Sequence, residues 1–120
     1  MITLTDFCGP QLRDASAATI VRLLVLAPLL EEWITRAGLH AWLLQRRVPA
    51  WLGVPLAAAA FSALHAASGA FAVAAVFGPA LLLGMAYQRW RSWPLCAALH
   101  GLMNALALTT CNALTYSNLY

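Results

Sequence analysis

The chain has 120 residues, 62% of them hydrophobic and 9% charged, with a formal net charge of +3 at pH 7. A soluble domain carries roughly 45–50% apolar and about 25% charged residues, so a soluble globule of this size has nowhere to hide the surplus. The composition predicts one all-α domain over 1–120, a polytopic membrane protein built as a bundle of about four transmembrane helices.

The amino-terminal stretch lacks the basic start and small-residue cleavage site of a signal peptide, so the first apolar segment is expected to be retained. That segment runs over approximately 15–44. It is too long for one straight span of about 20 residues, so Pro28 is read as a kink and Leu39 to Leu44 as an end lying along the interface. A second span is expected over 51–67, broken by Ser68-Gly69. A third covers 70–90, with Gly78-Pro79 as a kink inside it. The fourth covers 94–114, with Pro94 suited to a first-turn position. Cys8, Cys96 and Cys111 are odd in number and form no CxxC pair. They are read as three small apolar residues in preference to a Cys8–Cys111 bridge outside the cytoplasm.

All seven basic residues are Arg, and pairs of them lie at segment ends, a topology signal and not a nucleic-acid footprint. Arg46-Arg47 follow the first span, and Arg89 and Arg91 follow the third. In a four-helix topology those loops share a side, which the positive-inside rule makes cytoplasmic, with both termini outside. Trp33, Trp42, Trp51, Trp90 and Trp93 fall mostly near the same ends, as an aromatic belt does.

Against this apolar background three short signatures stand out: Glu31-Glu32-x-x-x-Arg36, Phe61-x-x-x-His65 and His100-x-x-x-Asn104. Ionisable groups inside a bilayer are costly and usually mark a working site. Two carboxylates and Arg36 at depth cost roughly 8–10 kcal/mol, at about 3 each, against about 0.3–0.6 returned by an apolar residue. The first helix therefore cannot turn that face to lipid. Glu32 and Arg36, four apart with the acid first, are expected to pair, which leaves Glu31 needing another partner. Phe61 and His65 share a face of the second helix, and His100 and Asn104 a face of the fourth. Small residues (Ala57 to Ala60, Ala63, Ala97, Ala98, Gly101) allow the helices to close around these groups. One conflict stands: counted from the cytoplasmic ends, His100 lies about 10 Å deep and His65 about 22 Å.

A carboxylate beside an imidazole can hold and deprotonate water, and a second imidazole with a carboxamide supplies donors for a developing oxyanion. Those parts suffice for amide hydrolysis without a covalent intermediate. In order and spacing, the three signatures resemble the motifs of the CPBP (CAAX protease and bacteriocin-processing, or ABI) family of glutamic-type intramembrane proteases. The resemblance implies an intramembrane endopeptidase in which Glu31 and His65 activate water, His100 and Asn104 hold the oxyanion, and Glu32 and Arg36 orient the site. It implies no cofactor. Zinc on Glu31, His65 and His100 is the less favoured alternative. The short chain further resembles compact bacterial, myxosortase-like members. These process a membrane-tethered protein that carries a C-terminal sorting signal, in the bacterial inner membrane. Partners are then that substrate and the lipid bilayer, with a homodimer or helper subunit completing the groove, and no nucleic acid.

Rival readings are weaker. There is no HExxH, and Ala66-Ala67-Ser68-Gly69 lacks the first Gly of a GxSG serine motif. A catalytically idle binding, immunity or scaffold protein of the same fold is the alternative from another class. A transporter would want ionisable residues in the third span before Tyr87. His40 lies outside the signatures and is read as incidental, and Phe61 as packing beneath the site.

Overall fold

The computed structural model describes residues 7–117, and every regular element among them is helical. A short helix, α1 (Pro10–Arg13), precedes a continuous helical rod over 17–45. In that rod α-helical pieces, α2 (Ala17–Val21), α3 (Ala27–Glu32) and α4 (Ala41–Gln45), alternate with wider π-wound pieces at Arg22–Leu26 and Trp33–His40. There follow α5 (Ala50–Ala63), a 3-10 turn (Ala66–Ser68), α6 (Ala70–Trp90) and α7 (Trp93–Ser117). The helices α6 and α7 are long and apolar enough to cross a membrane, over Ala70–Trp90 and Trp93–Leu114. Helix α5 is apolar but has only 14 residues.

The rod begins at a side-chain cap. Ser16 Oγ accepts from the Thr19 amide at 3.3 Å, and the Thr19 hydroxyl donates to Asp14 at 2.7 Å. That hydroxyl, with the Ser16 amide, holds the exposed Asp14 carboxyl below its usual range. The first π-wound piece has a legible cause. The Ala27 amide donates five residues back, to Arg22 O, so the next donor in register would be residue 28, reaching Leu23 O. Residue 28 is proline and has no N–H. The carbonyl of Leu23 is thereby left for a partner from elsewhere. Pro28 is fully buried, and the helix runs on through it.

Helix α5 falls short of the expected 51–67 span. At its end the Leu64 amide is shared between Ala60 O and Phe61 O, and the His65 amide reaches only to Ser62 O, so the winding tightens. The His65 ring takes the Phe61 carbonyl, which a continuing helix would have given to the backbone of residue 65. Gly69 then turns the chain at φ +100°, a conformation that favours glycine, into α6.

Polarity is distributed opposite to that of a soluble protein. Glu32 and Arg36 have no exposed surface and His40 has 1%, whereas Leu30 is 60% exposed and Leu106 62%. Apolar packing at one level joins Ala58, Phe61 and Ala80, with Val76, Phe77 and Leu81 against them. At another it joins Ala86, Tyr87 and Cys96 with Leu44 and Leu99.

Two expectations are corrected. Cys8 and Cys111 form a disulfide, with 5.5 Å between their Cα atoms, while Cys96 remains a buried free thiol. The bridge and the bond from Asn112 Nδ2 to Leu12 O at 3.0 Å fasten the α1 segment to the far end of α7. His40 is not incidental. Its Nε2 lies 3.1 Å from Gln88 Oε1 and its ring 4.9 Å from that of Tyr87, which ties the end of the rod to the end of α6. That tie puts Arg46-Arg47 and Arg89 with Arg91 at one end of the bundle.

Candidate active site

The rod supplies the acidic side of the site. Glu32, Arg36 and His40, spaced by four, are all buried on the inward face. Arg36 Nε donates to Glu32 Oε2 at 2.8 Å, and its Nη2 to Ala80 O of α6 at 3.2 Å. This is the expected pair, buried on both sides. Such a pair is neutral as a unit, but removing one member leaves a buried charge alone. Glu31, one position earlier, keeps 30% of its side-chain surface exposed. It is the acid of the two that a substrate or water can reach.

Helix α7 brings His100 against both acids. Its Nδ1 stands 3.1 Å from Glu32 Oε1 and its Nε2 3.6 Å from Glu31 Oε2. The first approach is close but off the direction a hydrogen bond needs, and Glu32 Oε1 and His100 Nδ1 make none with other groups. The second is longer than a hydrogen bond. A carboxylate oxygen can only accept, so a singly protonated ring serves one of these acids and a doubly protonated ring serves both.

What allows α7 so near is Gly101. A Cβ there would run into the carbonyl oxygen of Leu24 on the rod. One turn further along, Asn104 Nδ2 donates to Leu23 O at 2.7 Å, filling the vacancy left by Pro28. The sequence reading gave Asn104 to the oxyanion. In this structure one of its amide N–H groups is committed to the rod, and a carboxamide carries a second. The signal for this anchor was Pro28 itself, taken in the sequence reading as a kink.

His65 comes from the end of α5. Its Nδ1 lies 3.1 Å from Phe61 O. A carbonyl only accepts, so Nδ1 carries the proton and, in the neutral ring, Nε2 carries the lone pair. Phe61, buried to 3%, has its ring centre 5.2 Å from that of His65 and 5.4 Å from that of His100, edge-on to the latter. The Arg36 guanidinium carbon lies 5.9 Å from the same ring centre. Phe61 thus forms the floor that both imidazoles and the buried arginine touch. Both imidazoles therefore meet the same ring, which brings His65 at the end of α5 and His100 on α7 to neighbouring levels of the bundle.

The site therefore joins a reachable carboxylate, two imidazoles, a carboxamide one turn away, and a buried carboxylate–guanidinium pair that holds the rod to α6. Among the described residues no three His, Cys, Asp or Glu side chains are arranged to hold a metal ion together.

No curated protein and no solved structure matches the chain. The family model described as "Type II CAAX prenyl endopeptidase Rce1-like" matches residues 13–106, a stretch that contains every residue of the three signatures. The chain accordingly belongs to the Rce1-like family of CAAX proteases.

Proposed function

We propose that the protein is an intramembrane endopeptidase of the glutamic type. Glu31 with His65 takes the proton of a water molecule, which attacks the scissile carbonyl, and that proton passes to the leaving amine nitrogen as the C–N bond breaks. His100, with the second amide N–H of Asn104, donates to the oxyanion. Glu32 and Arg36 hold His100 and the rod in place and do not touch the reacting atoms. The observation that carries this reading is the pair of approaches to His100, with reachable Glu31 on one nitrogen and buried Glu32 on the other. Two neighbouring carboxylates so differently exposed suit two different tasks, one chemical and one supporting.

The substrate in this reading is a membrane-anchored protein cut close to the bilayer, with a C-terminal sorting-signal protein as the favoured class. The catalytic step uses no metal. Four helical segments cross the bacterial inner membrane, with the arginine end in the cytoplasm and both termini outside. The Cys8–Cys111 bridge supports that orientation, because disulfides persist in oxidising compartments. The exposed Leu, Trp and Phe side chains suit lipid contact. A second copy or a helper subunit completing the substrate groove belongs to the same proposal.

The test is purified protein in proteoliposomes with a membrane-anchored substrate identified by terminal mapping in the host. Glu31→Gln is expected to abolish cleavage and to keep the fold. Cleavage at the wild-type rate by that variant would refute the assignment, and an absence of any cleaved protein in the host would favour the idle binding role.

A further inference from the structure

A second site lies at the opposite end of the bundle from the disulfide. Between the start of α5 and the end of α6 runs an open groove of about 510 Å³, whose wall includes Trp51, Val54, Pro55, Met85, Gln88 and Arg89. We propose that this groove seats an anionic phospholipid, with an acyl chain along Val54, Pro55 and Met85 and the phosphate at Arg89. This proposal rests on the membrane placement given under the proposed function and is independent of the cleavage chemistry.

Three observations carry it. First, the groove is apolar except at its rim, where Gln88 and Arg89 stand together. An apolar trough with a few convergent polar groups is the form of a small-molecule site. Second, the ionisable side chain on the groove wall is the cation Arg89. Arg46, Arg47, Arg89 and Arg91 belong to this end, whereas every acidic residue of the chain lies within the first 32 positions. Arg89 lies over the ring of its own neighbour Trp90, at 5.8 Å, and Arg46 over that of Trp42, at 5.1 Å, contacts that leave the guanidinium charge unneutralised. Basic pockets between membrane helices on the cytoplasmic side attract phospholipid phosphates in this way. Third, Arg47 and Arg91 are the two described non-glycine residues at positive φ, +58° and +53°. Each ends a helical segment in a conformation where glycine or asparagine is the usual choice. Arginine at both positions keeps charge at this end of the bundle in a backbone setting that does not favour it.

The groove also touches the interior. Gln88, on its wall, pairs with the buried His40, which sits one turn beyond Arg36 on the inward face of the rod. A bound lipid thus rests against the polar row that ends at the candidate active site.

The test uses the full chain in a mild detergent, with dioleoyl phosphatidylglycerol or dioleoyl phosphatidylcholine added at equal concentration. Bound lipid is read by native mass spectrometry and the melting temperature is read alongside. The wild type is expected to retain phosphatidylglycerol in preference to phosphatidylcholine and to melt higher with it. Arg89→Gln is expected to weaken that retention about fivefold, Arg89→Lys to keep most of it, and Met85→Trp, which fills the trough, to remove it. Arg22→Gln, an exposed charge on the rod and off the groove wall, is expected to change nothing. Met85 and Arg89 are exposed, and melting without lipid checks that each variant is folded. Equal retention of the two lipids, unchanged retention in Arg89→Gln and Met85→Trp, or an equal loss in Arg22→Gln would each overturn the proposal.

Discussion

Glu32 and His100 meet across the contact between the rod and α7, with Oε1 3.1 Å from Nδ1, while the other oxygen of Glu32 holds Arg36 at 2.8 Å. One buried carboxylate thus bonds the arginine that reaches α6 and stands against the histidine of the site. The adjacent Glu31 stays reachable. The two acids should therefore fail differently. Glu31→Gln is expected to cut cleavage by about 10²–10⁴-fold with a melting temperature near that of the wild type. Glu32→Ala leaves Arg36 buried alone and is expected to cost about 3–5 kcal/mol of stability. Thermal unfolding alongside cleavage separates them; equal destabilisation by both variants would contradict the division of tasks.

The bond from Asn104 to Leu23 O gives a second prediction, read from a double-mutant cycle. In the wild-type background Asn104→Ala leaves a carbonyl without a donor and is expected to cost about 1–3 kcal/mol. Pro28→Ala restores a backbone N–H in register with that carbonyl. In the Pro28→Ala background Asn104→Ala should cost clearly less stability. If the two costs are equal, Pro28 is not what creates the vacancy.

Gly101 lets α7 pack directly against the backbone of the rod at Leu24. Gly101→Ala drives a methyl group into the Leu24 carbonyl, and overpacking of this kind costs about 1–3 kcal/mol. Because His100 and Asn104 flank this point, cleavage should fall further than stability does. A Gly101→Ala protein that cuts normally would show that the helices separate without disturbing the site.

The Cys8–Cys111 bridge closes a sequence separation of 103 residues. Loss of a native disulfide typically costs about 2–5 kcal/mol, so the Cys8→Ser, Cys111→Ser double variant is expected to melt lower than the wild type without reductant. With reductant the two should melt alike. Alkylation of intact cells tests the placement of this end: Cys8 and Cys111 should resist labelling until reduced. Labelling without reduction would show that the bridge does not form in the cell.

Much of the site was legible because its cost is visible in sequence. Charged and imidazole residues on apolar segments have to face one another, and the spacing of four that joins Glu32 to Arg36 and Phe61 to His65 is the local geometry found here. The all-helical fold followed from composition alone. What stayed hidden depends on backbone events that periodicity does not encode. The π-wound turn before Pro28 reassigns a carbonyl by one residue, and Asn104 answers it from 81 positions away. The early end of α5 arises because the His65 ring takes the carbonyl a longer helix would have used. The disulfide was obscured because two of three cysteines on apolar segments read equally well as core. His40 lacked a motif, and only the approach of Tyr87 and Gln88 from α6 gives it a place.

Comparative mapping of the termini of membrane proteins in the native host, with wild type, Glu31→Gln and His100→Ala at equal levels, tests the central claim most directly. The account predicts one precursor, or a small set, that is cut in the wild type and accumulates uncut in both variants. Identical termini in all three strains, with the host function that depends on this protein intact, would contradict it.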